Sequence, residues 1–170
     1  MFPTRRFELV SPLPPTDIHD RLAPHLAARR ANAGLGERPD RPYFGKVALA
    51  SFEIAPNTVS RNGFIPCAYG HVVPEGRGSR VKVLMQMLPF TRVFMRIWMG
   101  VASVVLVVVI AAVVRAIVLE RAFGWPVLLP IGIAATFPAL GLLAMRLGFA
   151  REAPALETFL RSVIEGDGPR

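Results

Sequence analysis

The stretch VKVLMQMLPFTRVFMRIWMG, Val81 to Gly100, joins two kinds of pattern without a polar loop between them. Up to Leu88, apolar and polar residues alternate, as they do in a strand with one buried face. Pro89 would end such a strand, because it has no backbone N–H to donate, and it suits the first position of a helix. The stretch therefore predicts a sheet whose last strand passes directly into a long apolar helix.

Two long uncharged runs occupy the second half of the chain. Ile97 to Val114 holds 18 residues without a charge, and Gly124 to Met145 holds 22. About 20 apolar residues suffice to cross the hydrocarbon core of a bilayer. The alternative is a buried helix pair in a soluble protein, but core helices seldom run this far without a polar face. We predict a transmembrane hairpin with spans over about 97–119 and 124–145.

The residues before the first span predict an α+β module. Thr16 and Asp17 offer an N-cap for a helix that continues to about Ala31, with Pro24 inside it. After a loop rich in Gly and Pro, alternating patterns and turn residues predict an antiparallel meander. With a short strand near the N-terminus, the strand candidates are residues 5–10, 43–49, 51–55, 65–73 and 79–88.

These patterns together predict a membrane α+β fold in three parts. Residues 1–89 form an N-terminal antiparallel sheet module with one covering helix, and residues 90–149 form the transmembrane helical hairpin. Residues 150–170 carry a short C-terminal amphipathic helix, which begins at Pro154, and a tail. We expect this helix to pack back against the sheet; the alternatives are that it lies on the bilayer or binds a partner.

Flanking charge predicts the orientation of the hairpin. Residues 1–98 hold 14 Lys or Arg against 7 Asp or Glu, and basic residues also follow the second span, whereas the connecting loop has only Arg115 and Arg121. The positive-inside rule then places both termini in the cytoplasm. The predicted location is a bacterial inner membrane, with anionic lipid headgroups as partners. The residues predicted to lie at the membrane interface are Arg92, Arg96, Trp98, Arg146 and Arg151.

Four stretches of the chain resemble a widespread group of small bacterial membrane proteins. They are RPYFGKV (41–47), FEIAPN (52–57), RNGFIPCAYG (61–70) and PFTRVFMRIW (89–98), the last with the form Pro-Phe-x-x-x-Phe-Met-x-x-Trp. Members of that group have a cytoplasmic sheet and a two-helix hairpin. The group has no established activity or catalytic residue, so the resemblance implies an architecture and a location but no reaction.

Residues that could carry chemistry are few and scattered. His19 and His25 are six apart and share no helical face, and Cys67 lies among apolar residues, which is typical of an inert core thiol. His71 is interpreted as a histidine on a sheet face. An acidic residue beside it in a folded cavity would favour an enzyme, whereas a bare groove or sheet edge would favour binding.

The sequence therefore favours a binding role over catalysis and predicts no cofactor and no metal. We expect a membrane-anchored binding, adaptor or sensor module, with a subunit of a membrane-bound enzyme complex as the alternative. The candidate binding surface consists of Arg61, Arg80 and Lys82. Besides lipid, the predicted partner is another protein or a second copy of the chain. Basic and aromatic residues near Tyr43 form no recognised nucleic-acid module, so no such partner is predicted.

Overall fold

The computed structural model describes residues 2–27, 41–57, 63–119 and 124–166. They form two compact units: the described residues within Met1–Leu88 and Gly148–Arg170, here called the sheet unit, and Pro89–Leu147, here called the helical unit. The strands are β1 (Thr4–Ser11), β2 (Leu26–Ala27), β3 (Tyr43–Ala48), β4 (Ser51–Pro56), β5 (Pro66–Glu75) and β6 (Gly78–Met87). The helices are α1 (Pro15–Leu22), α2 (Pro89–Leu119) and α3 (Trp125–Ile164).

The six strands form one sheet in the order β1-β6-β5-β4-β3-β2. Strands β3 to β6 form the predicted antiparallel meander, and β1 pairs antiparallel with β6 at the edge. The prediction of a wholly antiparallel sheet is wrong at the other edge, where β2 pairs parallel with β3. The sheet is therefore mixed, and the α+β class is confirmed.

The first helix is shorter than predicted. It begins at Pro15 and ends at Leu22, before a single 3₁₀ turn and strand β2, rather than continuing through residue 27. Pro24 explains the end, because it lacks the N–H for a helical hydrogen bond and its ring clashes with the preceding turn. Pro15 explains the earlier start, since its fixed φ suits the first helical position. Residues 28–31 of the predicted helix lie outside the described residues.

One face of the sheet, here called the covered face, holds the core of the sheet unit. The residues of β6 that alternate toward it, Val81, Val83, Met85 and Met87, are all buried, as the sequence pattern predicts. Helix α1 adds its own apolar stripe. Fully buried helical residues in this unit are Ile18, Leu22, Leu156, Leu160 and Ile164.

The C-terminal part of α3, residues 148–164, packs on the covered face. The rings of Phe159 and Tyr43 stack with centroids 4.0 Å apart, and Arg5 Nη1 lies 2.9 Å from Glu157 Oε2. Ser11 Oγ donates a hydrogen bond to the carbonyl oxygen of Ile164. The prediction of a separate C-terminal helix is wrong, because α3 continues through Pro154. These contacts show that the C-terminal segment packs against the sheet.

The prediction that a strand runs directly into an apolar helix is confirmed, since only Leu88 separates β6 from α2. Two helices are long and apolar enough to cross a membrane, by length and composition. The mean hydropathy of their most apolar windows is 2.9 in α2 and 2.0 in α3. Within the helical unit, Gly141 allows a close approach of Trp98, because a Cβ at position 141 would lie 3.3 Å from Trp98 Nε1.

Candidate functional site

The second face of the sheet, here called the open face, carries polar and charged side chains. The strand register places Glu8, Lys82 and His71 side by side across β1, β6 and β5. The adjacent row consists of Arg6, Leu84 and Tyr69 on the same three strands. These six residues line a shallow depression of about 460 Å³, here called the β1–β6–β5 depression.

Arg80 is occupied by two carboxylates at the end of the open face. Its Nε and Nη2 atoms lie 2.8 Å from the carboxylate oxygens of Glu75, and Nη1 lies 3.4 Å from Glu8 Oε2. The hydrogen bonds from Arg80 lower the pKa of Glu75, and those to Glu75 raise the pKa of Arg80. Arg80 is therefore paired within the fold, and it also contacts the carboxylate of Glu8.

Two cations of the depression have no such partner. Within the described part of the chain, neither Arg6 nor Lys82 lies within ion-pair distance of a carboxylate, and both are exposed. Glu8, the acidic residue of the lining, is paired with Arg80. Glu8 nevertheless lies opposite Lys82 in the register, so the lining carries two cations against one carboxylate that it shares with Arg80. This net positive charge favours an anionic ligand.

Cys67 lies on the same side of β5 as Tyr69 and His71 but is buried, with 1% of its surface exposed. Its thiol donates toward Glu53 Oε1 at 3.8 Å. Burial, with a further contribution from the Glu53 carboxylate, raises the pKa of Cys67 to about 12. The thiol is protonated at neutral pH and hence a poor nucleophile, as the sequence predicts, although its polar neighbour Glu53 was not foreseen.

The predicted binding surface is only partly present in this depression. Lys82 lies in its lining, Arg80 lies beside it in ion pairs, and Arg61 falls outside the described residues. Sequence reasoning missed Arg6, Glu8 and Tyr69. Arg6 and Glu8 alternate along an amphipathic strand, but the pairing of β1 with β6 places them opposite Leu84 and Lys82, each more than 70 positions away, and no local signal predicts it.

The residues predicted to lie at a membrane interface occupy the two long helices. Arg92, Arg96 and Trp98 lie in the first three turns of α2, and Arg92 and Arg96 are one turn apart, so that they share a face. Arg146 and Arg151 lie in α3, on either side of the boundary between the two units. Arg96, Trp98, Arg146 and Arg151 are exposed, and Arg92 is half-buried.

The residues of the depression that could act as an acid and a base, Glu8 and His71, are not paired with each other. Glu8 and His71 line it together, but Lys82 lies between them in the register, and Glu8 bonds to Arg80 instead. His19 bonds to its neighbour Asp20, and His25 meets the edge of the Phe159 ring. Among the described residues, no three His, Cys, Asp or Glu side chains are placed to hold a metal ion.

A second concavity lies in the helical unit, between α2 and α3. It is an apolar groove of about 520 Å³ with Trp98 and Phe137 among its lining and almost no polar surface. Apart from the indole N–H of Trp98, the side chains of this lining offer hydrophobic contact alone.

Comparisons of this chain with models of protein families, with curated proteins and with solved structures found no match. The resemblance to small bacterial membrane proteins stays a prediction.

Proposed function

We propose that this chain is an integral membrane protein of the bacterial inner membrane and that its sheet unit is a cytoplasmic binding module. The single observation that carries the proposal is the two-faced sheet. Helix α1 and the end of α3 cover one face, whereas the other face carries the exposed, charged β1–β6–β5 depression. Strand β6 of this sheet is followed directly by an apolar helix. A face left open in this way is available to a ligand.

The exposure of the apolar helices supports insertion into a bilayer. Only 11% of the most apolar window of α2 and 6% of that of α3 are buried. Val104, Val107 and Leu140 are 64%, 65% and 63% exposed. The alternative of a soluble protein with two core helices requires burial, and soluble proteins rarely leave so large an apolar surface in water. The flanking arginines support a cytoplasmic location for both termini.

Membrane fractionation with labelling tests the anchoring and the orientation. Val10→Cys and Ala122→Cys are made singly in a Cys67→Ser background, since Val10 is 67% exposed and residue 122 lies between the two helices in sequence. We expect alkaline extraction to leave the chain in the membrane. A membrane-impermeant maleimide should label the Ala122→Cys variant in intact spheroplasts and the Val10→Cys variant only after lysis. The reverse labelling, or release by alkali, would overturn the proposal.

Crosslinking and purification from native membranes tests the binding role. The tagged full-length chain is compared with the Arg92→Glu/Arg96→Glu variant. A stoichiometric protein partner would identify an adaptor. If lipid alone copurifies and the variant loses it, the protein is a membrane-surface sensor. If neither lipid nor protein is retained above the level of an unrelated two-span control, the binding role is wrong.

A subunit of a membrane-bound enzyme is the second candidate. The observation in its favour is that Glu8 and His71 line one depression. An acid–base pair acts through direct hydrogen bonding to the reacting group, and Lys82 separates these two residues. If a complex with an activity copurifies, His71→Ala should abolish that activity; an unchanged rate would exclude His71 from the chemistry.

A further inference from the structure

The geometry points to the β1–β6–β5 depression as a site for the phosphate monoester headgroup of an anionic lipid, held by Arg6 and Lys82. This inference rests on the proposed binding function and adds its ligand chemistry and its residues. The binding surface also differs from the one that the sequence predicts. Arg6 replaces Arg80, because Arg80 forms ion pairs with Glu75 and Glu8.

The two cations of the lining favour a ligand with more than one negatively charged oxygen. Arg6 and Lys82 face the depression without a carboxylate within ion-pair distance among the described residues, and Glu8 is turned toward Arg80. A phosphate monoester carries about −1.5 to −2 charges near pH 7, because its second pKa is about 6. A monoester phosphate offers a charged oxygen to each of the two cations, whereas a diester headgroup supplies a single charge.

The strand register places both cations within reach of one phosphate. Arg6 lies opposite Leu84, and Lys82 lies two residues before Leu84 on the same strand. Diagonal neighbours of this kind are about 7–8 Å apart, which long side chains bridge easily. The guanidinium of Arg6 offers paired donors to phosphate oxygens, and Lys82 adds a mobile point charge. His71, beside Lys82 in the register, provides a further ring nitrogen.

The floor of the depression suits the part of a lipid next to its phosphate. Leu84 and Tyr69, both half-buried, lie between the charged side chains. Carbon atoms of a glycerol ester can pack on this floor, while the open side of the depression leaves room for the rest of the molecule. In the proposed function the sheet is tethered to a bilayer, so a lipid is the phosphate ester at the highest effective concentration.

Lysine footprinting on the full-length chain in nanodiscs tests this inference. The chain has two lysines, Lys46 and Lys82, both exposed, so acylation of Lys46 is an internal control outside the depression. The bilayers are phosphatidylcholine alone, with added phosphatidylglycerol, or with added phosphatidic acid; a fourth sample has glycerol phosphate in solution. We expect phosphatidic acid to protect Lys82 and not Lys46, with weaker protection by phosphatidylglycerol.

Two substitutions that keep both lysines give opposite results if the inference is right. Arg6→Gln should raise the amount of phosphatidic acid that half-protects Lys82 about tenfold, since one charge-assisted contact is lost. Glu8→Gln should lower it, because the lining loses a negative charge. A structural defect in either variant would instead change the reactivity of Lys46.

Four outcomes would overturn the inference. They are equal protection of Lys46 and Lys82, equal effects of phosphatidylglycerol and phosphatidic acid, full protection by glycerol phosphate in solution, and no protection at all. The chain is already in the nanodisc in each case, so these results leave the anchoring intact. Failure of the anchoring appears separately, in the alkaline extraction.

Discussion

Tyr43 on β3 and Phe159 on α3 stack with their ring centroids 4.0 Å apart and their planes 22° from parallel. The edge of Phe159 also meets the ring of His25, at a centroid distance of 5.4 Å. Phe159 thus connects the C-terminal segment to the edge of the sheet where β2 pairs with β3. This contact makes the end of α3 a part of the sheet unit.

Phe159→Ala should destabilise the sheet unit by about 2 kcal/mol, less than a fully buried phenylalanine, since the ring is half-buried. Pulse proteolysis of the full-length chain in detergent, over a denaturant series, measures the change. Thr158→Ala, at an exposed position of the same turn, is the control and should change the free energy of unfolding little. Equal stability of the two variants would show that the stack contributes nothing.

The ion pair between Arg5 and Glu157 should give a small, salt-dependent coupling. Its atoms are 2.9 Å apart, but the Arg5 side chain is 50% exposed, so we expect about 0.5–1 kcal/mol from a double-mutant cycle of alanine variants. Added salt should reduce the coupling, since the pair is partly solvated. The matched cycle uses Arg6→Ala with Glu157→Ala. Arg6 lies on the open face, so its coupling to Glu157 should be near zero. A coupling as large as that of Arg5 would contradict a specific ion pair between Arg5 and Glu157.

Cys67 should resist alkylation in the folded protein. Its pKa is raised to about 12, against an ordinary value near 9, so at pH 7–9 the reactive thiolate is absent. A maleimide should label the wild type only in denaturant. The Val10→Cys/Cys67→Ser variant, with its exposed thiol, should label at once. Rapid labelling of native Cys67 would show that the thiol is accessible.

The same pKa shift predicts how stability depends on pH. The folded state binds the thiol proton more tightly than the unfolded state, so this contribution to stability is fully present below about pH 9 and is lost as pH rises toward 12. Cys67→Ala removes the titrating group. Its stability should therefore fall less than that of the wild type between pH 9 and 11. Parallel losses in the two proteins would contradict the prediction.

Gly70→Ala should lower the free energy of unfolding of the sheet unit by about 1–3 kcal/mol. The new Cβ would lie 2.1 Å from Cζ of Phe52 and force the buried ring to move. Phe52→Leu in the same chain should recover part of the loss by shortening the side chain. Gly100→Ala in α2 is the control, since nothing lies within 4 Å of its added Cβ. A tolerated Gly70→Ala would mean that Phe52 repacks freely.

The sequence alone was sufficient for the elements with strong local patterns. The alternation from Val81 to Met87, Pro89 and the long uncharged runs reflect chemistry within a few residues, and they predict strand faces and apolar helices directly. Where two local rules competed the prediction failed: the apolar stripe Ile18–Leu22–Leu26 argued for a longer helix, and Pro24 ended it. Leu26 is buried in a strand instead.

The tertiary structure alone decided which residues meet. Pairing of β1 with β6 brings Arg6 and Glu8 to Lys82, and packing of α3 brings Glu157 and Phe159 to the sheet. Contacts between distant positions depend on loop closure and on the fit of whole surfaces, and neither leaves a periodic signal in the chain. For this reason Arg80, predicted from the sequence to belong to a binding surface, is an ion-pair partner of Glu75 and Glu8 in the fold, and Arg6 faces the depression.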